Sequence, residues 1–433
     1  MAPAGLRLLA VTHECTRTGA PIVLLRFLEW LVRERGARVE TLALKGGPLL
    51  DDFAAVGPVH LVEAYGTESL TRQLEQGMRR VGLAAVSDRL RMARLRHRAR
   101  HLRGFDVLYV NSATSALALH FLPELPRHVV SHVHELDSAF DFWMDDADRA
   151  AMLAHSGAFV VAADCVGRNL VEGHGVPPER VHRCYEFIDP PVVDPGAVAE
   201  ARARLGIGDH ELVVGAVGTA DWRKGADLFL QVAARVRRVA PELAVRFLWV
   251  GRSLPHDAVH HRVDVAGLGL GGTVSFVGEV ADPGTYLSLM DVFCLTSRED
   301  PYPLVCLEAA TLGVPVVTFA NGGMVELAAA DGPEPLLGCV PYLDVEAMAD
   351  AVVERLVRPD RGAREGARLR AWVLDHHLSA VGARDIGVVL DGLRAEWEAE
   401  DGRPEDGTAS PGVPGADRTG GEGRAAAAAP GPA

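Results

Sequence analysis

Lysine is almost missing from this chain: Lys45 and Lys224 are the only two in 433 residues, although arginine is abundant. Arginine was evidently acceptable nearly everywhere else, so a surviving lysine draws attention. Cysteine is sparse as well. Cys15, Cys165, Cys184, Cys294, Cys306 and Cys339 are scattered without a C-x-x-C pair, which argues against a disulfide framework or a structural zinc site and for reduced thiols. Positive charge is in deficit. A formal net charge of −14 argues against a general nucleic-acid binder, which would be basic. No uninterrupted apolar run is long enough to span a bilayer, and no basic stretch followed by an apolar one precedes the first apolar run, Leu6 to Val11. The expected location is cytoplasmic. A G-x-G-x-x-G fingerprint is also lacking, which lowers a dehydrogenase reading.

What is present is alternation. Apolar runs recur with helical patterns between them, the signature of parallel βαβ units. Strands are expected at Leu6–Val11, Val39–Leu44, Val59–Val62, Val107–Val110, His128–Val133, Ala158–Ala162 and around Val181. They resume at Leu212–Val217, Val245–Val250, Val274–Val277, Val292–Leu295, Val314–Thr318 and near Cys339. The chain length exceeds what one hydrophobic core usually covers. The reading is therefore two α/β domains, residues 1–190 and 211–363, joined by a linker over 191–210. Helices over 364–400 return to the first domain, and a disordered tail rich in Gly, Pro and Ala covers 401–433. Open α/β sheets bind ligands at the carboxyl ends of their strands, so the shared crevice is the expected active site.

Five stretches carry candidate chemistry. Ser297 to Phe319 places Asp300 and Glu308 at the two ends of a turn and helix, with Pro301 and Pro303 able to start that helix. Helix amides there can meet an anion, and carboxylates can accept from hydroxyls. An anion carrying hydroxyls suggests a nucleotide sugar. His13 to Pro21 follows the first strand, with Thr18 as a cap and Gly19 allowing close backbone approach; a plain tight turn is the bland reading. Ser131 to Glu135 ends a strand, where His134 can bond a sugar hydroxyl or move a proton. His132 and His134 share a strand face, but no third metal ligand is placed by the sequence, so no metal is expected.

Gly215 to Gly225 puts Arg223 and Lys224 at a helix start, where a basic pair is unfavourable unless an anion is bound. Asn321 to Glu326 offers Gly322 and Gly323 for close approach, and Glu326 in a first helical turn. The last feature is the arginine-dense stretch Arg79 to Arg103. It reads chiefly as a solvated helical face, with weak contact to an anionic membrane surface as the alternative.

With these residues in view, the chain resembles glycosyltransferase family four, retaining nucleotide-sugar enzymes of GT-B fold, over about residues 6 to 400. The family pattern S-x-x-E-G-F-G-x-x-x-x-E-A is met by SREDPYPLVCLEA from Ser297. The resemblance implies a GT-B architecture of two Rossmann-like doubly wound parallel-sheet domains facing a cleft. It implies that Glu308 binds the ribose and that Asp300 contacts the donor sugar. Lys224-Gly225 matches the family's K-G, and Gly322 to Glu326 its G-G-x-x-E, which implies that Gly322, Gly323 and Glu326 bind the donor. HECTRTGAP resembles the amino-terminal loop of a bacterial subgroup, which brings Gly19 to the diphosphate, and His134 matches the histidine near the donor sugar. Asp300 stands where the family has Glu, Pro301-Tyr302-Pro303 replaces Gly-Phe-Gly, and Thr219 stands where the family has Arg. The diphosphate contact is then expected from the amides of Leu304 and Val305, with Lys224 and Arg223 supplying charge.

The expected activity is sugar transfer from a nucleotide diphosphate sugar to an acceptor hydroxyl, with retention and without a resident cofactor. The alternatives are a nucleotide-sugar epimerase of similar fold and a non-catalytic nucleotide-sugar-binding protein.

Overall fold

The computed structural model describes residues 5–63 and 70–401. The expected tail lies outside the described residues apart from Asp401, where the last helix ends. Two parallel sheets organise residues 7–340. The first contains β1 (Arg7–Thr12), β2 (Arg38–Lys45), β3 (Val59–Glu63), β4 (Val107–Asn111), β5 (His128–Val133), β6 (Ala158–Val161) and β7 (Val181–Arg183). The second contains β8 (Leu212–Val217), β9 (Val245–Val250), β10 (Val274–Gly278), β11 (Val292–Leu295), β12 (Val316–Phe319) and β13 (Gly338–Val340). Every expected strand forms, within a residue or two of its expected ends.

Strand order is β3-β2-β1-β4-β5-β6-β7 in the first sheet and β10-β9-β8-β11-β12-β13 in the second. Order therefore reverses between β1 and β4, and again between β8 and β11. Helices leaving neighbouring strands at such a reversal cross to opposite faces and leave a crevice above the strand ends. The central strands are buried on both faces, as β4 and β11 show throughout their length, which is why they read as continuous apolar runs. One core cluster runs through Leu9, Val110, Phe121 and Phe159, the other through Phe229, Phe247, Trp249 and Phe319.

The linker holds the helix Pro195–Arg204, started by Asp194, whose carboxylate accepts from the Gly196 amide. After the second sheet, the helix Ser379–Asp401 begins against the first domain. The Ser379 amide donates to the Ile188 carbonyl at 2.9 Å, Gly382 packs on Phe187, and Asp391 pairs with Arg35.

Two local expectations need correction. The helix after β11 starts at Leu304, with Pro303 as an extended N-cap, so Pro301 and Pro303 lie ahead of it. A proline disfavours the helical region for the residue before it, and Tyr302 is therefore held out of the helix. The first helix starts at Gly19, and Thr18, although at the N-cap, makes no side-chain capping bond. Its hydroxyl lies 3.0 Å from that of Thr16 instead.

Candidate active site

Both order reversals are lined by the residues singled out above. At the second, the loop after β8 carries Arg223 and Lys224, and the loop after β11 carries Ser297 to Pro303. Lys224 Nζ lies 2.5 Å from Asp300 Oδ2, which also accepts from Ser297 Oγ at 2.9 Å. Arg223 reaches within 3.8 Å of Asp300 Oδ1 and donates to the Glu299 carbonyl at 3.1 Å. Asp300 is almost wholly enclosed. Burial pushes its carboxyl up, but Lys224 and Arg223 outweigh that and hold it below the usual range. The basic pair at this helix start thus has a carboxylate of the chain itself as partner.

Two glycines fix the loop. Gly225 has φ 72°, and an added Cβ would sit 2.1 Å from the Thr296 carbonyl oxygen. Gly322 has φ 57°, and there a Cβ would fall 1.9 Å from the Asp300 carbonyl oxygen. Gly323 donates its amide to the Pro301 carbonyl at 2.6 Å. The close approach expected of Gly322 and Gly323 is therefore made to the Asp300–Tyr302 loop.

The helix Leu304–Thr311 opens directly beyond this loop. The amides of Leu304 and Val305 lie in its first turn, where no intrahelical acceptor exists. Gly19 of the first domain faces that turn; a Cβ built on it would lie 3.7 Å from the Leu304 side chain. One turn further along is Glu308. Its carboxylate has no hydrogen-bond partner among the described residues, and burial, with Asp282 nearby, pushes it up to about 7. A carboxyl so placed is short of donors, which hydroxyl groups of a ligand would supply.

Across the cleft, His134 follows β5. Its Nδ1 lies 2.6 Å from Glu186 and its Nε2 2.9 Å from Asn111 Oδ1, so both ring nitrogens are engaged inside the first domain. His132 lies beside it, ring centroids 3.9 Å apart and planes tilted by 39°. His132, His134 and Glu186 bring potential ligand atoms within 4.8 Å of one another, a third candidate ligand that sequence spacing did not reveal. Glu135 accepts from the His134 and Ala113 amides at 2.9 and 3.0 Å. Ser112 beside it holds φ 73°, a conformation that non-glycine residues adopt where surroundings impose it.

Two glutamates bridge the domains. Glu326 accepts from the amides of Asp164 and Cys165, each at 3.0 Å, at the start of the helix Asp164–Arg168. Glu299 accepts from Ser138 Oγ at 2.6 Å and from its amide at 3.3 Å, in the helix Asp137–Trp143. Glu326 thus spends its carboxylate on a cross-domain helix cap. Glu299, Glu186 and Asn111 are site residues that sequence reasoning missed; no local pattern marks a carboxylate whose partner is 161 residues away. Replacing Glu299 and Glu326 together by Ala should loosen the closed arrangement. Scattering from the ligand-free double variant is expected to give a larger radius of gyration than the parent chain, with each single variant intermediate.

Residues 211–357 match the family described as "Glycosyl transferases group 1". A D-inositol 3-phosphate glycosyltransferase of Stackebrandtia nassauensis is 34% identical over 232 residues, 52% of this chain and 51% of that protein. A GDP-mannose-dependent alpha-(1-6)-phosphatidylinositol monomannoside mannosyltransferase of Mycolicibacterium smegmatis is 29% identical over 215 residues, 48% of this chain and 54% of that one. The chain spans about half the length of the curated relatives it matches. Among solved structures, Anabaena Alr3699/HepE in complex with UDP and glucose superposes with a TM-score of 0.70 at 17% identity, covering 89% of this chain and all (100%) of that one. The lipopolysaccharide-biosynthesis glycosyltransferase WaaG gives 0.64 at 15% identity, covering 87% of this chain and 98% of that one. The chain therefore has the GT-B fold, and the part that holds Lys224, Asp300, Leu304, Glu308 and Glu326 is the part that matches group 1 glycosyl transferases.

Proposed function

We propose that this chain is a retaining glycosyltransferase that moves a hexose from a nucleotide diphosphate sugar to an acceptor hydroxyl. One observation carries the reading: a half-buried lysine, free first-turn amides and a donor-starved carboxylate line one strand-order reversal, facing Gly19 of the other domain. A nucleotide sugar needs that set. Glu308 takes the ribose hydroxyls, and the amides of Leu304 and Val305 take the diphosphate. Lys224 and Arg223 offset the negative charge that grows on the leaving oxygens as the glycosidic bond breaks. Asp300 holds Lys224 in place and lies where the sugar would sit. Gly322, Gly323 and Glu326 set the loop and the closure of the cleft, which excludes water that would hydrolyse the donor. The protein itself supplies the positive charge, and the nucleotide sugar is a co-substrate. The relatives named for transfer from GDP-mannose or to an inositol phosphate support this class of reaction.

The test incubates the chain with UDP- and GDP-sugars, alone and with a panel of hydroxyl acceptors, and follows nucleoside diphosphate and the anomeric configuration of product. Acceptor-dependent release with retention is expected. An epimerised nucleotide sugar formed without acceptor would support the epimerase. Binding without release under any acceptor would support the binding protein.

Peripheral membrane contact belongs to the same proposal. No helix among the described residues is long and apolar enough to cross a membrane. On the helix Ala84–Ala99 and just before it, however, Leu83, Val86 and Leu90 are exposed at helical spacing, with Arg80 and Arg89 exposed beside them. The opposite face buries Leu95 and Ala99. Co-sedimentation with anionic vesicles, weakened by salt and absent with zwitterionic vesicles, is the expected outcome.

A further inference from the structure

The engaged ring of His134 has a consequence for the glycine loop. Asn111 donates its Nδ2 to the Ala20 carbonyl at 3.0 Å, in the first turn of the helix that starts at Gly19. A carbonyl can only accept, so Asn111 must turn its NH2 to Ala20 and its Oδ1 to His134. His134 Nε2 therefore has to carry a proton. Its Nδ1 faces the Glu186 carboxylate at 2.6 Å, which also accepts. A neutral imidazole has one proton and satisfies only one of these neighbours. With the proton on Nε2, a lone pair faces Glu186. With the proton on Nδ1, a lone pair faces Asn111 Oδ1, the amide flips, and the bond to Ala20 is lost. With Glu186 ionised, only the doubly protonated ring satisfies both ends; a protonated Glu186 would instead donate to Nδ1 and leave the ring neutral.

We propose that Glu186 is a positioning residue: it holds His134 as an imidazolium, which locks Asn111 onto the Ala20 carbonyl and fixes the loop around Gly19. The pair is enclosed, with side-chain exposures of 7% for His134 and 6% for Glu186, so water does not substitute for either partner. The groups facing His134 are Glu186 after β7, Glu135 beside it, His132 on β5 and His13 after β1. Tyr109 on β4 bonds His132 at 2.9 Å. Burial pushes His134 down, yet Glu186 and then Glu135 outweigh it and raise its pKa. Burial drives His132 well below its ordinary value, and the neighbouring His134 adds to this. One charged and one neutral ring side by side follow.

The lock is complete below the ordinary histidine pKa of about 6.5 and is lost as pH rises through the raised value of His134. The link to turnover rests on the transferase reading, because only there does Gly19 approach a diphosphate; the loop itself can be tested without any substrate. Nitrogen-15 NMR of the histidine rings in the full chain, assigned with His134→Asn, should show both His134 nitrogens protonated at pH 7. Glu186→Gln can donate to Nδ1, so there His134 should be singly protonated at Nε2 with the loop intact. Exchange of the Ile22 amide, which donates to the Thr18 carbonyl, should rise about tenfold in Asn111→Ala, the loss of one ordinary hydrogen bond, and stay near the parent level in Glu186→Gln. A His134 that is neutral at pH 7 in the parent chain would overturn the proposal. So would unchanged exchange in Asn111→Ala, or a stoichiometric zinc ion found on Nδ1 of His134 in the purified chain.

Discussion

Lys224→Ala is expected to lower kcat by about 10²–10³-fold, the usual effect of removing one donor that meets developing negative charge. The same substitution should also destabilise the fold. Lys224 is the close partner of an enclosed Asp300, and removing one member of a buried ion pair costs about 3–5 kcal/mol. The two effects separate in a double variant. Lys224→Met with Asp300→Asn leaves no unpaired charge, so the denaturation midpoint should return most of the way while turnover stays low. The pH dependence has a definite sign. Asp300 titrates lower in the folded chain than in the unfolded one. Its contribution is therefore present above the unfolded value of about 3.9 and disappears as pH falls through the lowered folded value. A double variant that regained both stability and turnover would remove Lys224 from the chemistry.

Glu308→Gln should weaken donor binding by about 10- to 100-fold, the range for a hydrogen bond to a charged group. The parent carboxyl is held up at about 7 by burial and Asp282. Hydroxyl donors favour its charged form, so donor binding should tighten as pH rises through 7 and release a proton near that pH. Calorimetric titrations in two buffers of different ionisation heat would read that proton directly, and in Glu308→Gln it should vanish. On stability the sign is opposite. An acid with a raised folded pKa binds more protons folded than unfolded, so stability falls as pH rises from about 4.5 towards 7. Without donor, Glu308→Gln is expected to be at least as stable as the parent chain above pH 7.

Much of the fold is legible because parallel strands buried on both faces must be apolar throughout. The runs at Val107–Asn111 and Val292–Leu295 carry that imprint. Strand order carries none, yet it is the reversals at β1/β4 and β8/β11 that make a crevice of otherwise separate loops. Within the site, the residue types were visible and their pairings were not. Lys224 and Asp300 stand 76 positions apart, and each looked like a ligand group alone. Glu326 reads as a donor contact through the G-G-x-x-E pattern, and no local signal shows that its carboxylate accepts from a helix start on the other domain. Glu186 sits in a short irregular stretch, Tyr185 to Asp189, where no periodicity assigns a face. Local competitors account for two differences: Pro303 delays its helix to Leu304, and Thr18 stands at the N-cap but meets the Thr16 hydroxyl instead of capping.

Thermal unfolding of the parent chain and of Glu308→Ala across a panel of nucleotide diphosphate sugars is the shortest route to a decision. A ligand at one hundred times its Kd stabilises by about 2.7 kcal/mol. At least one UDP- or GDP-sugar should raise the parent midpoint accordingly and leave Glu308→Ala nearly unmoved at the same concentration. If no nucleotide sugar moves the parent midpoint, or if one moves both proteins equally, then the crevice beside Leu304 and Glu308 is not a nucleotide-sugar site.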